Sequence, residues 1–391
     1  MPPFLLLVHN YNMQNYENYI GIIGAGISGL ALGCILKKAD IPVVIFEKST
    51  NISEYGAGIS ISPNGAKILK YLNLYDEIIS ISSNPKQADF FSNNKKINSF
   101  DVDVITTSRQ VLYKYLYKKY ISLDGQILFD HQLYDVDFDK SELKFTGDKT
   151  YQVRHIVACD GIKSICRKKL DFQKEPTYSG YSVWRAIVEK KQKNTQTFLG
   201  PNHHIVTYPI SNSKISFVAA IKTPKKYKES WKSSGTYEEL KNDLVFSNKD
   251  LYSFINKETS LFKWGVYIRP LIKNIKYKNL TLLGDAAHPI VPFIGQGGCL
   301  ALEDAYIFGH FLIKYSSDIN KAQNAYEALR IKRIKTITKM SLRQGHLNHI
   351  SNPIIVFLRN FVMKHFPSLA IRSIRKKIWN YDPEEEVRNF K

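Results

Sequence analysis

The stretch from Gly21 to Ser49, GIIGAGISGLALGCILKKADIPVVIFEKS, constrains this chain more than any other. Two short apolar runs rich in β-branched residues, Tyr19 to Ile23 and Val43 to Phe46, read as buried parallel strands. Between them Gly24-Ala25-Gly26-Ile27-Ser28-Gly29 leads into a segment whose apolar positions Leu30, Leu32, Ile35 and Leu36 predict a helix from Ser28 to Lys38. Gly24 can make a tight turn, Gly26 lets the backbone approach a pyrophosphate, and Gly29 lets the helix lie close to the strand. The helix start offers free N–H groups and about half a positive charge to a phosphate. Glu47 comes eighteen residues after Gly29, near the spacing of about 20 expected of the acid that binds an adenosine ribose. Strand, glycines, helix, strand and acid in that order predict a dinucleotide site. They do not separate FAD from NAD.

The chain has 391 residues, 44% of them hydrophobic, so it can form two domains or one elaborated domain around a sizeable core. A net charge of +20 raises the question of nucleic acid. The lysines are scattered and no recognition motif accompanies them, so no nucleic-acid partner is expected; the charge suits an anionic co-substrate or an acidic substrate. Cys34, Cys159, Cys166 and Cys299 lack metal-ligand spacing, do not suggest a secreted disulfide framework, and read as small core residues. No metal is expected. Phe4 to Val8 is too short for a signal sequence and lacks a basic start. Either Met13 is the start or residues 1–17 form a loose tail. No apolar run reaches membrane-spanning length, so a soluble, cytoplasmic protein is expected.

Downstream, a second glycine-rich loop at Gly56-Ala57-Gly58 leads into a strand and an amphipathic helix. Residues 76–100 read as strands, and TTSRQVLYKYLYKKYI from Thr106 has helical spacing. Between Glu175 and Arg269 strand-like segments dominate and predict a separate antiparallel sheet. The expected organisation is α/β: a Rossmann-like nucleotide domain (residues 18–75, 101–173 and 274–340) interrupted by a sheet domain (76–100 and 174–273), then C-terminal helices (341–391). A ligand site is expected between the two.

Two further motifs narrow the choice of dinucleotide. In VACDGIKSICRKKL, Asp160-Gly161 follows a buried strand, with Ser164 and Arg167 spaced after it. In LTLLGDAAHPIVPFIGQGGCLALEDA, Gly284-Asp285 ends a strand and Gly295-Gln296-Gly297-Gly298 opens a helix. An ordinary NAD-binding domain has no use for either. With all three motifs in this order, the chain from Tyr19 to Tyr381 resembles the single-component FAD-dependent aromatic hydroxylases, the flavoprotein monooxygenases of the para-hydroxybenzoate and salicylate hydroxylase type.

The resemblance implies that Gly24, Gly26 and Gly29 take the FAD pyrophosphate and Glu47 the ribose, with Arg109 against FAD. It places Asp160 near the pyrophosphate, with a part in NAD(P)H use, and Asp285 on the ribityl chain. Ala25, Ser28, Lys48, Gly58, Gly161 and Gly284 complete the cofactor side. N–H groups of the Gly295, Gly297 and Gly298 run could stabilise negative charge on the reduced flavin ring. Pro292 matches a family proline beside the flavin. The implied chemistry belongs mostly to the cofactor: NAD(P)H reduces the flavin, O2 adds to it, and the hydroperoxide delivers one oxygen to an electron-rich ring. A base near a substrate phenol helps, since a phenolate is the better nucleophile. His204, Tyr208 and Gln296 resemble the His-x-x-x-Tyr-Pro strand and helix-start Gln that activate the phenol in that branch. His203 is expected on the opposite face of the strand. Arg185 could bind a substrate carboxylate, and Trp264 is assigned to the pocket. His288, Glu303 and Asp304 read as structural.

The substrate this implies is a small phenolic or salicylate-like aromatic. GQGGCLALEDAY also resembles the epoxidase and urate-hydroxylase branches, which keeps open a lipophilic ring (a quinone precursor or carotenoid) or a urate-like heterocycle. A flavin halogenase needs a Trp-x-Trp-x-Ile-Pro segment that is absent, and a non-enzymatic redox flavoprotein is a distant alternative. The basic, apolar C-terminal helices suit packing on the FAD domain or contact in a homodimer, with peripheral membrane contact as the other option.

Overall fold

The computed structural model describes residues 15–51, 57–170, 175–227, 233–244 and 252–391. Most of the N-terminal tail, including Met13, and Gly56 of the second glycine loop lie outside the described residues. Tyr16, grouped with the tail in the sequence reading, is instead buried and packs edge-on against Tyr19 and Phe46.

A six-stranded sheet carries the three motifs. Its parallel core runs in spatial order Leu280–Leu282, His155–Ala158, Ile20–Ile23, Val43–Phe46 and Gln126–Leu128. Four of these strands are buried along their whole length, as expected of strands covered on both faces. Register sets Ile23 beside both Ala158 and Phe46, and Ala158 beside Leu282. Every motif residue therefore leaves the sheet at one edge: Gly24 and Glu47 one residue past their strands, Asp160 and Gly284 two past theirs. Ligands bind beyond the carboxyl ends of strands in such sheets. The helix Ile27–Lys38 is buried from Ile27 to Leu36, sandwiched under the long helix Gly297–Lys314.

An eight-stranded sheet faces this edge. It is antiparallel apart from one parallel pair, Thr195–Gly200 with Gln87–Ser92. The strand Thr177–Glu189 is central, flanked by Lys214–Lys222 and Leu261–Ile268, and His203–Pro209 lies beyond Lys214–Lys222. Two details differ from the sequence reading. Tyr75–Ser80 is a helix, not a strand, seated by buried Ile78. The predicted helix from Thr106 starts at Arg109, because Ile105–Ser108 pairs with Gly58–Ile61 and Ser108 then caps the helix through Val111 N–H. Long helices Ile319–Asn348 and Pro353–His365 follow.

Candidate functional site

The three motif turns interlock. Gly24 has φ +99°, and a Cβ there would lie 2.6 Å from Cys159 O; a Cβ on Gly29 would overlap Gly24 O. Glycine at these positions lets the first turn nest against the Asp160 turn. Glu47 reaches back to it: Oε2 accepts from Ala25 N–H at 2.8 Å and Oε1 from Ser49 N–H at 2.9 Å. The acid predicted to meet a ribose thus also fixes the glycine turn. Lys48 is exposed and acts electrostatically on Asp160. Ser28 Oγ lies 2.9 Å from the Cβ position of Gly284, which joins the first motif to the third.

Arg167 supplies a tie that its spacing did not reveal. Its guanidinium is buried and donates to Ala287 O at 2.7 Å, Ala286 O at 3.3 Å and Pro270 O at 2.8 Å. Ser164 Oγ accepts the Arg167 N–H at 3.0 Å. The motif after Asp160 therefore holds the backbone that follows Gly284-Asp285.

A buried charge network braces the same turn from behind. Asp304 accepts from Gly284 N–H at 2.8 Å, pairs with His288 Nε2 at 2.5 Å, and takes Arg330 Nε at 2.7 Å. Burial alone would raise its carboxyl, but His288 and Arg330 hold it down at about 2. Glu303 binds Arg330, Arg333 and Asn64. Asn64 Nδ2 also donates to Gln296 Oε1 at 2.9 Å, and Gln296 Nε2 donates to Ser62 Oγ at 2.8 Å. Gln296, expected to help His204 activate a phenol, is buried in this network with its amide held by Asn64 and Ser62.

Asp285 presents its carboxyl to solvent, although neighbouring protein crowds it and raises its pKa against the pull of Arg109. Arg109 in turn acts on Arg185. Gly295 has φ +65°, and Gln296 and Gly297 open the helix Gly297–Lys314 without a side-chain cap.

An FAD fits these residues. A Cβ at Gly26 or Gly297 would meet no protein atom within 4 Å, so the first turn and the glycine run both leave room for a ligand against the backbone. Among the described residues no hydrogen-bond partner meets buried Asp160 Oδ1, while Oδ2 accepts Ile165 N–H at 3.0 Å; burial raises the group. The helix starts at Ile27 and Gly297 lack side-chain caps, leaving donors for phosphate and ring oxygens.

The facing sheet supplies the other wall. In antiparallel pairs, residues directly opposite share a face. His204 stands opposite Ala220, Ala220 opposite Val183, and Val183 opposite Trp264. Arg185 is two residues from Val183, and Tyr208 four from His204. All four predicted residues therefore lie on one face. Arg185 donates to Gly58 O at 3.2 Å and stacks 5.4 Å from the Trp264 ring. Tyr208 is buried near Arg185 and Gly58. Trp184 faces away and bonds Asp243 at 2.8 Å. His203 does likewise, its Nδ1 donating to Pro201 O at 2.9 Å.

His204 has a partner that sequence reasoning missed. Its Nδ1 lies 2.9 Å from Nε2 of His349, at the end of the helix Ile319–Asn348. His349 stacks on Tyr181 at 5.0 Å, and Phe293, next to Pro292, packs edge-on to His204 at 5.6 Å. Phe293 thus links the imidazole pair to the glycine run. Burial keeps both imidazoles neutral: His349 falls to about 4, and His204 well below its usual range with His349 adding to the effect.

A model of the FAD binding domain family matches residues 17–341, and the chain belongs to that family. It is an FAD-dependent monooxygenase by class. A 3-amino-4-hydroxybenzoate 2-monooxygenase of Streptomyces platensis is 27% identical over 359 residues, covering 87% of this chain and 90% of that protein. A 3-hydroxybenzoate 6-hydroxylase of Klebsiella oxytoca is 26% identical, covering 84% and 88%. Among solved structures, Klebsiella pneumoniae HpxO complexed with FAD and uric acid superposes with a TM-score of 0.82 at 22% identity, covering 92% of this chain and 96% of that one.

Proposed function

We propose that this protein hydroxylates a small phenolic aromatic acid with NAD(P)H and O2 as co-substrates. In this reading residues 18–75, 101–173 and 274–340 bind FAD, and 76–100 with 174–273 enclose the substrate. The observation that carries it is the meeting of two walls: the motif edge of the parallel sheet, and a sheet face bearing His204, Arg185, Tyr208 and Trp264. The benzoate-hydroxylating relatives support the substrate class.

The chemistry supplied by bound FAD is reduction by NAD(P)H and activation of O2 for insertion of one oxygen atom. Glu47, the Gly24 to Gly29 turn and Arg109 hold its nucleotide portion; Asp160, Asp285 and the Gly295 to Gly298 run hold the remainder, beside Pro292. Arg185 pairs with the substrate carboxylate, and Tyr208 donates its hydroxyl proton to the substrate. In the tautomer whose Nδ1–H points at His349 Nε2, 2.9 Å away, His204 keeps Nε2 as its proton acceptor. Nε2 takes the phenol proton, which makes the substrate ring the better nucleophile toward oxygen. Burial keeps this imidazole neutral, so a proton acceptor is present at neutral pH, and the same burial weakens it as a base. The same machinery acting on a urate-like heterocycle is the second reading, supported by the uric acid in the HpxO complex. A cytoplasmic monomer or homodimer completes the proposal. Among the described residues no single helix is long and apolar enough to cross a membrane.

The test is NAD(P)H oxidation by the yellow protein with phenolic acids, urate and quinone precursors. Phenolic acids should accelerate it most, with one oxygen added to the product by mass. Accelerated oxidation with no oxygenated product from any of them would refute the reading.

A further inference from the structure

The helix Pro353–His365 is inside out. A surface helix normally turns its apolar stripe inward. Here Ile354, Phe357, Leu358 and Phe361, at helical spacing, are 70%, 67%, 55% and 45% exposed. The polar side faces the protein: Arg359 donates to Leu347 O at 3.0 Å and Ser92 Oγ at 3.3 Å, and Asn98 Nδ2 donates to Met363 O at 2.7 Å. After the turn, Phe366 and Leu369 continue the patch at 52% and 61% exposure. Among the described residues, eight of the fourteen exposed large hydrophobic side chains fall between Ile354 and Leu369, so the exposure is concentrated rather than scattered.

The charge along this part of the chain has one sign. From Ala328 to Tyr381 the chain has no Asp or Glu. Lys364, Arg372, Arg375, Lys376 and Lys377 are all exposed beside the apolar face. We propose that this corner of two helices docks the protein onto an anionic lipid bilayer, apolar side chains in the acyl boundary and cations at the headgroups. A helix of this kind lies in the interface. The thirteen residues of Pro353–His365 are about 20 Å long, short of the roughly 30 Å hydrocarbon core. The next helix turns away by 91°, so the pair makes a wedge rather than a straight span. A second copy is the poorer occupant. A twofold dimer sets a patch against itself, which would oppose these cations with no acid from the two helices to pair them. Lipid phosphates and carboxylates supply the missing anions.

Flavin-loaded full-length protein is sedimented with vesicles of equal parts phosphatidylcholine and phosphatidylserine, and with phosphatidylcholine alone. Binding is expected to the mixed vesicles, at least about tenfold weaker to the neutral ones and reduced by high salt. The double variant Phe357→Ser, Leu358→Ser should remain yellow and turn over substrate normally while losing vesicle binding. Sedimentation velocity without lipid gives the oligomeric state of both proteins. Failure to bind the mixed vesicles overturns the proposal. So does equal binding to both vesicle types, or a dimer that the double variant splits.

Discussion

At the edge of the parallel sheet, Gly24, Glu47, Asp160 and Gly284 each stand one or two residues beyond a buried strand, and adjacent strands in register bring them together. On the facing sheet, His204 depends on His349, 145 positions along the chain and on a helix of its own. The first region is assembled by backbone geometry and closed by charges. The second is assembled by tertiary packing of rings and neutral imidazoles. One consequence is that the two should respond to different insults.

The largest effect is expected behind the cofactor edge. Arg330→Met leaves Glu303 and Asp304 buried with their charges only partly met; breaking such a pair costs about 3–5 kcal/mol. The denaturation midpoint should fall accordingly, and an unchanged midpoint would mean that the network is not what holds the Gly284 turn. The substrate wall should show its character in acid. His349 is held at about 4 against an ordinary 6.5 by burial. The unfolded chain then takes up its proton first, so stability falls as pH drops from about 6.5 toward 4, by about 3 kcal/mol. In His349→Asn this acid slope should flatten, as read by thermal melts across pH.

Glu47→Ala removes acceptors for Ala25 and Ser49 N–H. Hydrogen bonds to a charged group contribute about 1.5–3 kcal/mol, so FAD affinity should fall about 10- to 100-fold with little change in the pH profile of turnover. Titration of the apoprotein with FAD checks it, and wild-type affinity would count against the assignment. The smallest effect belongs to Tyr208→Phe, which loses one hydroxyl bond of about 1 kcal/mol. Substrate KM should rise several-fold while flavin content stays constant. Loss of flavin instead would move Tyr208 to the other wall.

The same contrast explains what could be read from the chain alone. The glycine turns, Glu47, Asp160 and Asp285 were legible because each is tied to a strand end a few residues away. The shared face of His204 and Tyr208 was legible from strand alternation. His349 was not, since nothing in QGHLNHIS marks it as a partner for a distant strand. The partners of Gln296 were hidden for a related reason. Its position at a helix start was readable, but the capture of its amide by Ser62 and Asn64 depends on a helix more than two hundred residues earlier. The helix Tyr75–Ser80 was missed because six residues give too short a period to separate from strand.

Arg167 grips three carbonyl oxygens, at Pro270, Ala286 and Ala287. A main-chain oxygen survives every codon change, so the fragility of this clasp is one-sided. In a saturation library, damage to it should register almost wholly at position 167. Its three receiving positions should be filtered only by bulk and backbone shape, and would look unremarkable to anyone scoring polarity.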